Sequence, residues 1–242
     1  MSGPVYAIGD IHGQYALFET ALRRIEADGG AAAPMVSLGD LVDRGPDSRR
    51  VIAHMIEARA EGRDWTVLKG NHDRLFQGFL EQGSLGDARL RPDLDWLHPR
   101  MGGGTTLASY GVWAVPGRAV EELLIEAREA VPPDHLAFLR DMPVRHLRGD
   151  LLFVHAGIAP GVPLEAQSED DLLWIRAPFL DHTAPHPWLV VHGHTALTAP
   201  AHYGNRVNLD SGAGYGRPLT VAVFEEGRVW TLEKEGRKPL MP

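Results

Sequence analysis

The feature that most constrains this chain is a pattern that repeats three times in its first third. Each repeat is a short apolar run, a polar block that contains glycine, and a segment with helical periodicity. The apolar runs, read as strands, are residues 5–8, 35–38 and 65–68, and helices are predicted at residues 14–27 and 48–61, with Ser48 as cap of the second. Alternating strands and helices are typical of βαβ units, whose functional sites lie at the carboxyl ends of parallel strands. The pattern therefore predicts an α/β fold with three polar loops at one sheet edge.

The rest of the chain is predicted to contain a run of helices followed by a run of strands. Helical segments predicted at 105–110, 120–131 and 134–140 indicate a helical insertion beside the sheet. Strands are again predicted at residues 144–147, 151–155, 188–191, 206–209, 219–224 and 228–232, the first two as a hairpin around Gly149-Asp150. We therefore expect a single domain over residues 1–242, folded as a mixed α/β sandwich with the insertion at about 74–143.

Composition and charge exclude several classes of protein. The formal net charge of −8 and the lack of a Lys/Arg-rich run argue against nucleic-acid and anionic-membrane binders, because both need a basic face. With no cysteine, the chain forms neither disulfides nor thiolate metal sites, so any metal ligands must be His, Asp, Glu or Asn. We identify no signal peptide and no apolar run approaching about 18 residues, which predicts a cytoplasmic location.

The polar block after the first predicted strand is Gly9-Asp10-Ile11-His12-Gly13. An extended backbone points alternate residues to the same side, so Asp10 and His12 can converge on one divalent ion such as Mn, Fe or Zn. Alone, this triplet fits an ordinary turn with a capping aspartate equally well. Four later blocks follow other predicted strands: 39–45 (GDLVDRG), 70–73 (GNHD), 155–157 (HAG) and 193–195 (GHT). The five blocks together favour a metal site.

The five blocks, in this order and over nearly the whole chain, resemble the metallophosphoesterase superfamily, and within it the phosphoprotein phosphatase family of bacterial and phage serine/threonine phosphatases. The resemblance implies a calcineurin-like sandwich of two mixed β-sheets flanked by helices. It also implies a centre of two divalent ions, with Mn²⁺ favoured and Fe and Zn suited to the same ligands. By resemblance, the metal ligands are Asp10, His12, Asp40, Asn71, His155 and His194. Asp40 would bridge the ions, with Asp10 and His12 on the first.

The same resemblance assigns the groups that act on the substrate. His72 matches the general acid that protonates the leaving oxygen, and Asp43 matches the carboxylate that orients and stabilises its imidazolium. Arg44 and Arg176 match the two arginines that bind phosphate oxygens, with Asn71 also beside the substrate. In such enzymes a hydroxide held by the metals attacks phosphorus directly, without a phosphoenzyme.

These features predict a two-metal phosphomonoesterase that acts on phosphoserine and phosphothreonine in proteins. The alternative is a symmetrical dinucleoside tetraphosphate hydrolase, since Asp73 often occurs there where protein phosphatases have glutamate; Asp43, often missing there, opposes it. A non-catalytic phosphate-binding regulator is disfavoured by the complete ligand set. Ala196, where exonuclease-type members have a second histidine ligand, favours the phosphoprotein phosphatase branch. The expected partner is a phosphorylated protein or a small phosphoester.

His192 leaves one assignment open, because it lies two residues before His194 on a predicted strand and faces the same side. We assign His194 as the ligand, since it follows the glycine of its block, and His192 as a supporting or packing residue. Substrate choice is expected to depend on residues 74–143 and on the loop at residues 182–187.

Overall fold

The computed structural model describes residues 3–242, which form two β-sheets packed face to face and flanked by helices. The strands are β1 (Val5–Ile8), β2 (Met35–Ser37), β3 (Trp65–Val67), β4 (Arg145–Arg148), β5 (Leu151–Val154), β6 (Leu189–His192), β7 (Ala201–His202), β8 (Arg206–Asn208), β9 (Val221–Glu225), β10 (Arg228–Glu233) and β11 (Gly236–Pro239). The helices are α1 (Tyr15–Gly29), α2 (Ser48–Ala60), α3 (Asn71–Gln82), α4 (Gly103–Ser109), α5 (Val120–Ala130), α6 (Pro133–Asp141) and α7 (Glu169–Trp174). The predicted α/β sandwich of two mixed sheets is confirmed.

Parallel pairing brings the carboxyl ends of the central strands to one edge of each sheet. The first sheet has the order β11-β10-β9-β1-β2-β3, in which β1, β2 and β3 are parallel. The second has the order β4-β5-β6-β8-β7, in which β5, β6 and β8 are parallel. Helices α1 and α2 make the crossovers of the first sheet, because neighbouring parallel strands need a long connection.

Alternate side chains of the strands face two different apolar layers. Tyr6 and Ile8 of β1 pack with Phe18 of α1 in the layer beneath the helices. Val5 and Ala7 point the opposite way, into the layer shared with β5, β6 and β8. A third apolar cluster covers the outer face of the second sheet, where α7 packs. Burial on both faces explains why β1 reads as a continuous apolar run.

Four helices, α3 to α6, lie between β3 and β4, where the sequence predicts a helical insertion. They extend the apolar layer of α1 and α2, since Leu107 and Phe138 belong to the same cluster as Phe18. Residues 83–102, between α3 and α4, contain neither helix nor strand, yet Trp96 within them is fully buried. That these helices are an insertion into a single domain stays a prediction. Among the described residues, no helix has the length and apolar character needed to cross a bilayer.

Elements that are specified by neighbouring residues agree with the sequence-based prediction, whereas features that depend on contacts with other segments do not. The hairpin around Gly149-Asp150 is confirmed, with β4 and β5 antiparallel. The prediction that Ser48 caps α2 is wrong, because Asp47 holds that position and the Ser48 hydroxyl accepts a hydrogen bond from the Asp43 amide (3.2 Å). Strand β11 is not predictable from its polar sequence, since its extended form depends on pairing with β10.

Candidate functional site

The five polar blocks meet at the carboxyl ends of five strands. Asp10 and His12 follow β1, Asp40 follows β2, and Asn71 opens α3 after β3; His155 and His194 follow β5 and β6 in the second sheet. Five of these six side chains are buried and His194 is half-buried. The structure therefore brings all six predicted metal ligands to one place, between the edges of the two sheets.

The backbone that carries these side chains is locally strained. Among the described residues, only six other than glycine have a positive φ, and five of them are His12 (49°), Asp40 (50°), Asp43 (73°), Arg44 (66°) and His194 (65°). A left-handed φ in a residue with a Cβ costs about 1–3 kcal/mol and persists only where the surroundings hold it. This concentration of strain is typical of a functional site.

Asp40 lies at the centre of the cluster. Its Oδ2 is 3.5 Å from His12 Nε2, and its Oδ1 is 3.5 Å from His155 Nε2. Asn71 Oδ1 lies 2.9 Å from His155 Nε2 and 2.8 Å from His194 Nδ1. These contacts form one continuous set of nitrogen and oxygen donors with Asp40 in the middle, the position that a bridging ligand requires.

Two groups of donor atoms are compact enough to hold an ion, with all atoms of a group within 4.8 Å of one another. They are His12–Asp40–His72 and Asp10–Asp40–His155, and both contain Asp40. The first group differs from the predicted ligand set, because His72 stands beside His12 where Asp10 is expected. The rings of His12 and His72 are 4.8 Å apart, edge to face.

The donor set fits divalent cations on three observations. The Nδ1–H groups of His12 and His155 donate to the carbonyls of Val42 and Leu38, both at 2.8 Å, which leaves each Nε2 without a proton and so able to act as a ligand. Asp10 Oδ1 is buried without a hydrogen-bond partner among the described residues. His194 Nε2 lacks such a partner in the same way. Buried polar atoms without partners are costly, and coordination to a cation would relieve that cost.

The electrostatics of the cluster point the same way. Burial raises the pKa of Asp10 well above its ordinary value, and the neighbouring carboxylates of Asp210 and Asp40 raise it further. Burial lowers the pKa of His12 and of His194 well below the imidazole value, so both are neutral at pH 7. Neutral imidazole is the form in which histidine binds a metal, and a divalent ion would offset the repulsion among the crowded carboxylates.

Arg44 is the cation that contacts these imidazoles in the structure. One of its terminal nitrogens donates to His12 Nε2, and the other donates to His72 Nε2 at 3.0 Å. Its guanidinium also lies over the ring of Tyr215, 4.6 Å from the centroid. Arg44 is thus beside the cluster, as the sequence predicts, and its role in binding phosphate stays a prediction.

His72 and Asp43 form the predicted pair. His72 Nδ1 lies 2.6 Å from Asp43 Oδ2, and Asp43 is fully buried. Trp96 Nε1 donates to the same carboxylate at 3.0 Å, and Thr106 Oγ1 donates at 2.7 Å. Burial raises the pKa of Asp43 to about 7 and lowers that of His72 to about 3, because each charge is disfavoured away from water. The sequence contains no local signal for Trp96, which lies between α3 and α4, or for Thr106, which lies in α4.

Asp73 joins the second and third loops. Its Oδ1 accepts a hydrogen bond from the Leu41 amide (2.9 Å), and its Oδ2 accepts one from the Gly70 amide (2.8 Å). Gly70 must lack a Cβ, since that atom would lie 2.1 Å from Asp40 Oδ1. Asp73 therefore has a structural role that its position at the end of the third block did not reveal.

Asp210 is a site residue that the sequence analysis missed. It follows β8, is 4% exposed, and accepts a hydrogen bond from the Gly212 amide at 2.9 Å. Burial raises its pKa, and Asp40 raises it further. A signal exists in the sequence, because a polar residue close to glycine at the end of a predicted strand is what the other blocks share.

His192 is fully buried and lies outside both compact donor groups. Its Nε2 accepts a hydrogen bond from Arg206 (3.2 Å), so its Nδ1 carries the proton and faces the Gly193 carbonyl at 3.1 Å. It also packs edge to face on Phe179. The structure thus places His192 behind the turn that carries His194.

A cavity of about 950 Å³ opens over the cluster. It is lined by predicted site residues, by part of residues 83–102 and by the turn after β8: among them are Asp40, Arg44, Asn71, His72, Arg176, His194, Asp210 and Tyr215. Arg176 donates to Thr195 Oγ1 at 3.2 Å. Residues 182–187 do not line it, and Pro185, His186 and Pro187 line a separate cavity of about 290 Å³. That substrate choice depends on this loop stays a prediction.

Comparison with known proteins gives one family and two kinds of relative. The family described as calcineurin-like phosphoesterase matches residues 3–224. The serine/threonine-protein phosphatase 1 of Salmonella typhimurium is 29% identical over 227 residues, which cover 90% of each chain. The asymmetrical bis(5′-nucleosyl)-tetraphosphatase PrpE of Bacillus mycoides is 26% identical over 257 residues, covering 97% of this chain and 95% of the relative.

Two solved structures share the fold. A putative diadenosine tetraphosphatase superposes with a TM-score of 0.67 at 23% identity, covering 100% of this chain and 95% of the other. A cold-active protein-tyrosine phosphatase from a Shewanella species superposes with a TM-score of 0.64 at 18% identity, covering 98% and 80%. At these identities the likeness concerns the fold alone.

Proposed function

This chain belongs to the calcineurin-like phosphoesterase family, and we propose that it hydrolyses phosphate monoesters of serine and threonine side chains in proteins. The relative named as a serine/threonine-protein phosphatase supports this substrate class. The observation that carries the proposal is the hydrogen bond of 2.6 Å between His72, which lines the cavity, and the fully buried Asp43.

The pair supports a monoester substrate because of the leaving group. An alkyl oxygen such as that of serine is strongly basic when it departs, so its expulsion needs a proton from a positioned acid. A nucleotide leaving from a polyphosphate is far less basic and gains less from such an acid. Asp43 holds the Nδ1–H of His72, which leaves Nε2 facing Arg44 as a hydrogen-bond acceptor; in this proposal Nε2 is the atom that takes up a proton and passes it to the leaving oxygen.

The metal ligands are proposed to be the six residues of the cluster: Asp10, His12, Asp40, Asn71, His155 and His194. Two divalent ions bound there would supply a nucleophile at neutral pH and neutralise phosphate charge. Nitrogen and oxygen donors of this kind suit Mn²⁺, which we propose, and also Fe and Zn.

The remaining residues act on the phosphate itself. Arg44 and Arg176 both line the cavity, and in this proposal they grip phosphate oxygens while negative charge builds up on them. Asn71 would fix the phosphate beside the cluster. His72 then donates its Nε2 proton to the departing serine or threonine oxygen, and Asp43 stabilises the positive imidazolium before that transfer.

The test is side-by-side turnover of a phosphoserine peptide and diadenosine tetraphosphate by Mn²⁺-reconstituted protein. We expect the peptide to have the higher kcat/KM. A preference for the nucleotide would instead make the protein a dinucleoside polyphosphate hydrolase, a second candidate that the PrpE relatives and the arginine-lined cavity favour. The sequence-based alternative is a symmetrical enzyme, whereas the PrpE relatives are named asymmetrical.

A generic aryl phosphate separates both enzymes from a non-catalytic regulator. We expect Mn²⁺-dependent hydrolysis that a chelator abolishes and that added Mn²⁺ restores. Absence of hydrolysis, or hydrolysis that ignores the chelator, contradicts the proposed function.

A further inference from the structure

The cavity above the cluster contains more positive side chains than binding of one phosphate requires. Six arginines and three aspartates line it, in a chain whose formal net charge is −8. The arginines are Arg44, Arg89, Arg91, Arg100, Arg176 and Arg217. Positive charge concentrated in a concave site of an acidic protein attracts anions to that site.

Two of these arginines have neither a carboxylate partner nor a part in the proposed phosphate grip. Arg89 pairs with Asp171 at 3.0 Å, and Arg91 pairs with Asp93 at 2.7 Å. Within the described residues 3–242, Arg100 and Arg217 form no ion pair. Arg217 donates to a backbone carbonyl through one terminal nitrogen, which leaves its other donors free for a ligand.

Both unpaired arginines lie on the flank of the cavity where Arg44 enters. Gly102, two residues after Arg100, accepts a hydrogen bond from the Arg44 amide at 3.4 Å. Tyr215, two residues before Arg217, carries the guanidinium of Arg44 on its ring. Arg100 and Arg217 thus line the same cavity as Arg44, and a near neighbour of each in the chain contacts Arg44.

The segment that carries Arg100 is anchored at several points. Arg74 of α3 forms two hydrogen bonds with Asp87, at 2.8 and 2.9 Å, and a third with Asp170 at 2.8 Å. Trp96, four residues before Arg100, is fixed by its hydrogen bond to Asp43. A wall held in place in this way loses little conformational freedom when it binds a ligand.

We propose that Arg100 and Arg217 form a second anion subsite, which binds a second anionic group of the same substrate molecule. This inference rests on the proposed function and adds to it a selection among phosphate esters. The second group is a phosphoryl or carboxylate group, as found in a polyphosphate chain or in acidic residues beside a phosphoserine. The volume of about 950 Å³ suits a ligand much larger than a single phosphate.

The test compares the parent with the double variant R100Q/R217Q. R228Q is the matched control, because Arg228 is an exposed arginine whose one ion pair within residues 3–242 is with Glu226, and it lies near the end of β1 that is opposite the site. The substrates are a phosphoserine peptide with neutral neighbours, the same peptide with acidic neighbours, and diadenosine tetraphosphate. Thermal unfolding of each variant checks that the fold is kept.

We expect the parent to prefer a substrate with a second anionic group over the neutral peptide. In R100Q/R217Q the ratio of the two kcat/KM values should fall about 10- to 100-fold, the weight of one or two charge-assisted hydrogen bonds, while R228Q keeps the parent ratio. Preference for the acidic peptide or for the dinucleotide identifies the source of the group. An unchanged ratio in the double variant, or a parent without preference, overturns the subsite.

A binding measurement separates this inference from the proposed function. Calorimetry with Mn²⁺-loaded protein compares pyrophosphate with orthophosphate as probes, and needs no turnover. If the parent hydrolyses no ester but the double variant loses the tighter binding of pyrophosphate, the subsite stands and the function fails. If the parent hydrolyses esters but the double variant binds both probes as the parent does, the function stands and the subsite fails.

Discussion

Two clusters of charged residues in this protein use similar side chains in opposite ways. The first, here the Asp28 cluster, consists of Tyr6, Asp28, Glu225 and Arg237 and joins α1 to the strands of the first sheet. Arg237 donates to Asp28 (2.7 Å) and to Glu225 (2.6 Å), and the Tyr6 hydroxyl donates to Asp28 (2.6 Å). The hydrogen bond that Asp28 accepts from Arg237 lowers the pKa of Asp28, and the hydrogen bond from Tyr6 lowers it further.

The second cluster is the candidate metal site, where the pKa shifts favour the uncharged forms of the side chains. Burial raises the pKa of Asp10 and lowers that of His12, so each group is pushed toward its uncharged form. Asp28 is pushed toward its charged form because its counter-charge belongs to the chain. A cluster whose charges are paired within the chain stabilises the fold. A cluster of charged groups without such partners is suited to binding a ligand.

Asp40→Asn should have the largest effect on function. Loss of the central carboxylate is expected to abolish tight Mn²⁺ binding and to reduce turnover to the level of the chelated parent. Mutation of a residue that only supports a metal ligand already lowers metal affinity or activity about 10- to 100-fold. Metal content after gel filtration and aryl phosphate hydrolysis measure both. Retention of two ions and of parent activity would remove Asp40 from the centre.

His72→Asn tests whether His72 is an acid or a ligand. If His72 is an acid, the variant should lose about 10²–10⁴-fold in turnover of phosphoserine and much less in turnover of an aryl phosphate with a good leaving group. Its metal content should equal that of the parent. The compact group of His12, Asp40 and His72 offers the contrary result. Loss of one ion with an equal loss on both substrates would make His72 a ligand.

Metal removal should destabilise the site and leave the Asp28 cluster unaffected. At Mn²⁺ concentrations about 100 times Kd, binding is expected to add about 2.7 kcal/mol to the free energy of unfolding. The melting temperature with Mn²⁺ and with chelator measures this gain. Asp40→Asn should show no gain, and Asp28→Asn should show the same gain as the parent.

Asp28→Asn should give the reverse of the metal-site variants. Loss of the charge that Arg237 and Tyr6 contact is expected to cost about 1–2 kcal/mol in the free energy of unfolding, with metal content and turnover kept. Urea unfolding and aryl phosphate hydrolysis on the same preparation measure the two effects. A loss of activity at full metal content would contradict the separation of the clusters.

The smallest expected effect is a pH dependence of the difference in the free energy of unfolding between the parent and Asp28→Asn. Since the pKa of Asp28 is lower in the folded protein than the unfolded value of about 3.9, its contribution is complete above about pH 4 and declines as the pH falls toward the folded pKa. The stability gap between the parent and Asp28→Asn should therefore be constant from pH 7 to pH 5 and narrow below pH 4. A gap that widens in acid would reverse the sign that we assign.

The periodicity of the sequence was enough to predict the sandwich and the edge where the site lies. Strands such as β1 and helices such as α1 are specified by local apolar patterns, and parallel strands place the loops that follow them at one edge. The aspartate, histidine and asparagine of those loops are visible as residue types beside glycine. The spacing of Asp10 and His12 is therefore enough to predict that they converge, whereas Asp40 joins them only through the resemblance of the five blocks.

Tertiary structure alone decided which groups hold these residues and what surrounds them. Trp96 and Thr106 reach Asp43 from 53 and 63 positions away in the chain. Arg44 turns onto His12, and Arg217 reaches the cavity through the turn after β8. Such contacts depend on how separate elements pack, and no local pattern encodes packing between distant segments. The sequence by itself therefore determined the kind of chemistry, and the fold decided its protonation, its partners and the shape of its cavity.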